Sequence, residues 1–278
     1  MDNGFIKYFE DLLNQGQLNI DPKRKDAYLK YKKLVKSSAD LMSYVFRYDD
    51  EFNFISYIKR SKDKLMPVLY THLGAVVYHI AQVLKAKEMT VPSTVTFSGM
   101  GAQYIHLISS KDSDISELVK ALLAEFMGYG YEDDDDQMPS DFKVTFQKSP
   151  KEVTAQGAML EDNPALDEIK LYKQKELYVY GIEDAPKHIQ YGEASDYKQS
   201  ALKMFDKFVK DFLQNRDITH YLNRQFEVRF SPDFVKTLQE QAEMGYDLMA
   251  KSKRKDEDVE ETLFFWPLKN GLYEASKL

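Results

Sequence analysis

The chain has 278 residues, 43% hydrophobic and 30% charged, with 38 lysines and arginines against 45 aspartates and glutamates for a net charge of −7. The absence of cysteine excludes disulfides, thiolate catalysis and cysteine-ligated zinc, and the acidic balance speaks against a general nucleic-acid binder, which needs a basic face. No apolar run reaches the ~20 residues of a membrane span, and "MDNGFIKYFEDLL" carries no secretory signal, so the expectation is a cytoplasmic protein without a bilayer segment.

In the first 64 residues Phe5, Ile6, Phe9, Leu12 and Leu13 follow helical spacing, and Tyr28, Tyr31, Leu34, Val35, Leu41 and Val45 repeat it. Residues 1–64 are read as a helical subdomain, and the basic run "DPKRKDAYLKYKK" as the solvated side of one of its helices. Leu65, Leu69, Leu73, Val76, Val77, Ile80 and Leu84 then make a wide apolar stripe with few charges before Lys85, which predicts a helix buried on most sides. Pro92 stops it, and Val95 to Phe97 form a short strand of the kind found inside parallel or mixed sheets. The strand runs into Gly99 and Gly101, after which Ala102 to Ile108 opens a helix.

Ile115, Leu118, Leu122, Leu123 and Phe126 share a face of the next helix, with Ser113 and Ser116 as candidate caps. An acidic, turn-rich run at 129–141 precedes a second strand, "FKVTFQ", at 142–147. In "SPKEVTAQGAML" (149–160) Ser149 is placed as N-cap, Pro150 as first helical residue and Glu152 as the partner in a capping box. From 161 the chain reads as a mainly helical extension: a strand at "KELYVYGI" (175–182), a helix carrying Leu202, Phe205, Phe208, Val209, Phe212 and Leu213, and another opened by Ser231 and Pro232. The bulky apolar residues of "TLFFWPLKNGLYEASKL" predict a tail docked on the protein.

Several site motifs fail on their own chemistry. A dinucleotide fingerprint needs a third glycine where Tyr104 stands and a downstream acid at a strand end, whereas Glu117 lies within a helix. No G-K-[ST] phosphate loop occurs, and Thr96 replaces the first glycine of an esterase elbow at Ser98. A calcium loop starting at Asp133 would put Met138 at its glycine and Val144 at its glutamate. His72 and His79 are seven residues apart, too far for the i, i+4 pair of a metal site.

Two stretches remain, "TVTFSGMGA" at 94–102 and "SPKEVTAQGA" at 149–158. In this order they resemble the second half of the actin and DnaK-type chaperone ATPase fold. There a long helix leads to a strand ending in a glycine-rich turn that approaches the nucleotide, followed by a helix, a last strand, and a helix beginning near P-x-E-x-x-A-x-G-A. Pro150, Glu152, Ala155, Gly157 and Ala158 match that last element, and the resemblance covers about residues 50–160.

The resemblance implies a helix-rich α/β chain: an incomplete actin-like ATPase second lobe, with a small mixed sheet flanked by helices and a core at 65–160. It implies that Ser98, Gly99, Met100, Gly101 and Ala102 contribute one wall of a nucleotide site. Glycines there let backbone amides approach a phosphate, ribose or base, and a helix N-terminus adds ~0.3–1 kcal/mol. The family's two phosphate loops, an acidic residue followed by G-x-[TS] and a D-x-G-G-x-[TS] hairpin, do not occur in the chain. The resemblance therefore implies no catalytic or metal-ligating residue here and no ATP hydrolysis by this chain alone. ATP or ADP with magnesium belongs to an intact protein, whose missing N-terminal lobe is the expected partner. Without the lobe's first three strands, the strand at 94–98 should expose an edge, to be covered by "KELYVYGI", by "TLFFWP" or by another copy of the chain. The alternative is a non-enzymatic helical interaction module, in keeping with 19 tyrosines and 17 phenylalanines, that binds a protein partner and neither nucleic acid nor membrane.

Overall fold

The structure, a computed structural model, describes residues 4–18, 20–34, 41, 44–45, 48–54, 56–57, 65–98, 100–109, 111–129, 138–146, 180–182, 185–186 and 188–276. The stretch "SPKEVTAQGAML" and most of "KELYVYGI" lie outside these residues.

The N-terminal helices are α1 (Gly4–Asn14), α2 (Pro22–Tyr31) and the short α3 (Asp49–Phe52). Asp21 caps α2 by accepting from Lys23 N at 2.7 Å, with Pro22 at the first position. Their apolar faces meet in an aromatic cluster, in which Phe9 stands edge-on to Tyr28, Phe52 and Phe54 at 5.3, 5.5 and 5.4 Å. The basic run supplies the outside of this cluster: Arg24 pairs with Glu51 and lies 3.9 Å above the Tyr48 ring, and Lys32 reaches Glu10 at 2.7 Å.

Next comes an α/β unit. Helix α4 (Leu65–Ala86) leads to β1 (Thr94–Phe97), a 3₁₀ helix (Met100–Leu107), α5 (Asp112–Met127) and β2 (Lys143–Phe146). The strands pair in parallel register, Thr94 opposite Lys143 through Phe97 opposite Phe146. Parallel strands need a crossover, and α5 is that crossover. Among the described residues the sheet has these two strands and is parallel rather than mixed. The helix expected from Ala102 is present and begins two residues earlier, as a 3₁₀ helix from Met100. One further expectation is corrected: the N-cap of α5 is Lys111 rather than Ser113 or Ser116. Ser116 instead ties α5 to the sheet, donating to Asp112 O at 2.8 Å and accepting from Val144 N at 2.9 Å.

The C-terminal part is helical. Helix α6 (Lys198–Phe208) passes into a π-helical turn (Val209–Leu213), followed by α7 (Arg216–Phe226), α8 (Pro232–Ala250), a 3₁₀ turn (Leu263–Phe265) and α9 (Trp266–Ala275). Asn215 caps α7 by accepting from Asp217 N and Ile218 N, and Ser231 caps α8 by accepting from Phe234 N at 3.1 Å. The tail residues Leu263, Phe264 and Trp266 are buried, and Phe264 N donates to Tyr180 O at 3.3 Å. "TLFFWP" thus covers Tyr180 and α4 rather than the edge of β1 that is unpaired among the described residues, and Tyr180–Ile182 form a turn, not a strand end.

The two parts meet on α4. Tyr78 is ringed by Phe126 of α5, Phe208 of α6 and Phe264 of the tail at 5.2, 5.4 and 5.7 Å. One turn away, Gly74 leaves just the space that the Phe212 ring fills: an added Cβ would lie 2.6, 2.7 and 2.9 Å from three of its atoms. Gly74→Ala should therefore lower the unfolding free energy by about 1–3 kcal/mol through overpacking, an effect reduced by the ~1 kcal/mol helix-propensity gain of alanine and read as a lower urea midpoint. His79, beside Tyr78 and against Phe264, is held by burial at about 4 instead of its ordinary 6.5. Its proton binds the unfolded chain more tightly, so stability from the neutral imidazole is complete above about pH 6.5 and is lost as pH falls towards about 4. Urea titrations across that window should show a shallower pH dependence in His79→Phe than in the parent.

Candidate functional site

Because β1 and β2 are parallel, their carboxyl ends lie together, and the Phe97 and Phe146 rings stack there at 5.9 Å. Ligands of open α/β sheets bind outside this end of the strands. The turn singled out in the sequence leaves β1 at that end. Ser98 is exposed, Gly99 lies outside the described residues, and Met100, Gly101 and the half-buried Ala102 form the start of the 3₁₀ helix. Four of the five predicted residues therefore share one short segment.

That segment is held from behind. Tyr104 Oη and His72 Nδ1 of α4 form a hydrogen bond of 2.8 Å, and the His106 ring lies 4.4 Å from that of Phe146. Burial pushes the His72 imidazole down and the Tyr104 phenol up, so both are neutral around pH 7 and their bond is between uncharged groups. Ile105, fully buried between these two contacts, anchors the helix in the core.

A cleft of about 830 Å³ lies nearby, and none of Ser98, Met100, Gly101 or Ala102 lines it. Its walls are Met66, Pro67 and Tyr70 at the start of α4, Ile108, Ser109 and Asp114 around the start of α5, and Asn223 with Phe226–Arg229 at the end of α7. Since α5 returns the chain between parallel strands, its start belongs to their carboxyl end. The buried Ser109 is the organiser: its Oγ accepts from Lys111 N at 3.1 Å and donates to Asp114 Oδ2 at 2.7 Å. Tyr70 is 2% exposed, its ring lies 5.7 Å from that of Phe226, and its hydroxyl has no hydrogen-bond partner among the described residues. Burial first, then Tyr221 and Asp114, push its phenol up, so the hydroxyl keeps its proton at neutral pH. At the mouth, Arg229 Nε donates to Asn223 Oδ1 at 2.7 Å, beside the exposed Glu227 in left-handed conformation at φ 56°.

Sequence reasoning missed this cleft because its three walls come from segments far apart in the chain, and none carries a recognisable spacing. Among the described residues no group of three or more His, Cys, Asp or Glu side chains could hold a metal ion, and no helix is long and apolar enough to cross a membrane. Comparison of the chain with protein-family models, curated proteins and solved structures finds no match.

The contact behind the turn has a measurable consequence. Tyr104→Phe leaves the Nδ1 of the half-buried His72 without this partner, and chemical unfolding should show a loss of about 0.5–1.5 kcal/mol. His72→Phe combined with Tyr104→Phe removes both polar groups and should recover part of that loss.

Proposed function

We propose that the chain is the C-terminal part of an actin-like or DnaK-like ATP-binding protein, with the turn at Ser98, Gly99, Met100, Gly101 and Ala102 forming one wall of its nucleotide site. The observation that carries this reading is the order long helix, strand, glycine-rich turn, crossover helix and strand, with β1 and β2 parallel and in register. The turn sits at the strand end where such folds bind ligands, and its small residues leave the backbone amides within reach of a phosphate or ribose. The phosphate loops and the acids that hold magnesium come from the missing N-terminal lobe of the same protein. This chain therefore orients the nucleotide and does not hydrolyse it by itself. The edge of β1 that faces away from β2, unpaired among the described residues, is where a further strand of the lobe adds.

A second reading, a non-enzymatic helical module that binds another protein, is favoured by Met244 and Leu248. They stand one turn apart on α8 and are 49% and 56% exposed.

Calorimetric titration with ADP separates the two. In the protein that also carries the phosphate loops, ADP should bind saturably, and Gly101→Val should weaken it tenfold or more by placing a branched side chain in the turn. Equal affinities of the two forms would overturn the placement of the turn, and no ADP binding by the longer protein would overturn the nucleotide reading.

A further inference from the structure

We propose that the cleft between α4, α5 and α7 binds a small organic amine, its ammonium held between the Asp114 carboxylate and the Tyr70 hydroxyl and its apolar stem lying along Phe226. This site is distinct from the nucleotide-side turn and does not rest on the reading given above.

The charge in the cleft selects the sign of the ligand. Asp114 is bonded to the hydroxyls of Ser109 and Ser113, at 2.7 and 3.4 Å, and no lysine or arginine pairs with it among the described residues. Among the charged lining residues, the exposed Glu227 and Arg229 are of opposite sign, so the half-buried Asp114 is left as the net charge. The start of α5 would by itself draw an anion, but the carboxylate of Asp114 in the first turn already takes that place. The lining keeps one net negative charge, which favours a cation over an anion.

The geometry selects an ammonium. Ser109 is buried and holds the carboxylate in one orientation, so the acceptor is in place before a ligand arrives. The Tyr70 side chain is nine-tenths buried and lines the cleft, and its hydroxyl, without a hydrogen-bond partner among the described residues yet not one of the sealed-off polar atoms, is open to whatever occupies the cleft. An ammonium offers three donors: one to Asp114, one to the phenol oxygen and one to water. The rings of Tyr70 and Phe226, 5.7 Å apart, add faces that attract a cation, and Met66, Pro67 and Ile108 give the stem an apolar bed. At about 830 Å³ the cleft falls within the range that holds small organic ligands.

The probe is tyramine, titrated calorimetrically into the full chain, with 3-(4-hydroxyphenyl)propionate as the matching anion. Tyramine should bind saturably and the anion at least tenfold more weakly. Asp114→Asn, which keeps an acceptor for Ser109, should weaken tyramine tenfold or more, and Tyr70→Phe several-fold, with urea midpoints showing both variants folded. If Asp114→Asn fails to fold, the Tyr70→Phe comparison decides, since it removes one oxygen. Gly101→Val should leave tyramine affinity unchanged, which keeps this result separate from that of the ADP titration. Absence of saturable tyramine binding at millimolar concentration, equal binding of the anion, or unchanged affinity in the folded variants would overturn the assignment.

Discussion

Nearly everything in the described structure depends on the burial of α4 between two layers. A helix with apolar residues around most of its circumference has to be covered on more than one side. One flank of α4 packs on α5, and the other takes rings from the π turn and the tail. Tyr78 touches Phe126, Phe208 and Phe264, and Gly74 admits Phe212. Burial of each such side chain contributes about 1.5–3 kcal/mol, and well-placed ring pairs add ~0.5–1.5 kcal/mol. A two-stranded sheet is marginal in isolation. Here it is supported by α5 and so indirectly by α4.

The same constraint places both candidate sites. His72 and Tyr70 lie on α4 within one turn of each other, the first holding the 3₁₀ helix through Tyr104 and the second lining the cleft. The turn after β1 is thereby referenced to a rigid helix instead of hanging from the strand end. The cleft forms where α4 and α5 begin and the end of α7 crosses them. Beyond α7, close backbone packing locks the remaining helices. An added Cβ at Gly245 would meet the carbonyl oxygens of Trp266 and Pro267 at 2.9 Å, and Tyr246 Oη donates to Ala194 O at 2.5 Å.

Local chemistry was legible wherever it was self-contained. Ser231 followed by Pro232 marked a helix start because the cap and its donor are three residues apart. The apolar stripe of 65–86 and the strand cores at 95–97 and 143–146 were visible from periodicity alone. The cap of α5 was misread because Ser113 and Ser116 both have the right chemistry, while the choice fell to Ser109, Asp114 and Ser116 acting together. The 3₁₀ form of 100–107 also escaped, since its shape depends on the two anchors His72 and Phe146. Of the five turn residues, the shared position of four at the end of β1 followed from sequence order. The cleft had no such order to reveal it.

By itself the sequence determined the helix-rich α/β character, the helix that demands cover, the two short strands and the glycine-rich turn between elements. These follow from residue spacing and from what glycine, proline and serine do within a few positions of themselves. Tertiary structure alone decided that the strands run parallel, that "TLFFWP" covers α4 rather than an edge of β1, and that Tyr70, Asp114 and Phe226 line one space. Contacts between residues forty to more than a hundred positions apart leave no period in the chain, and they are set by which buried surfaces fit each other.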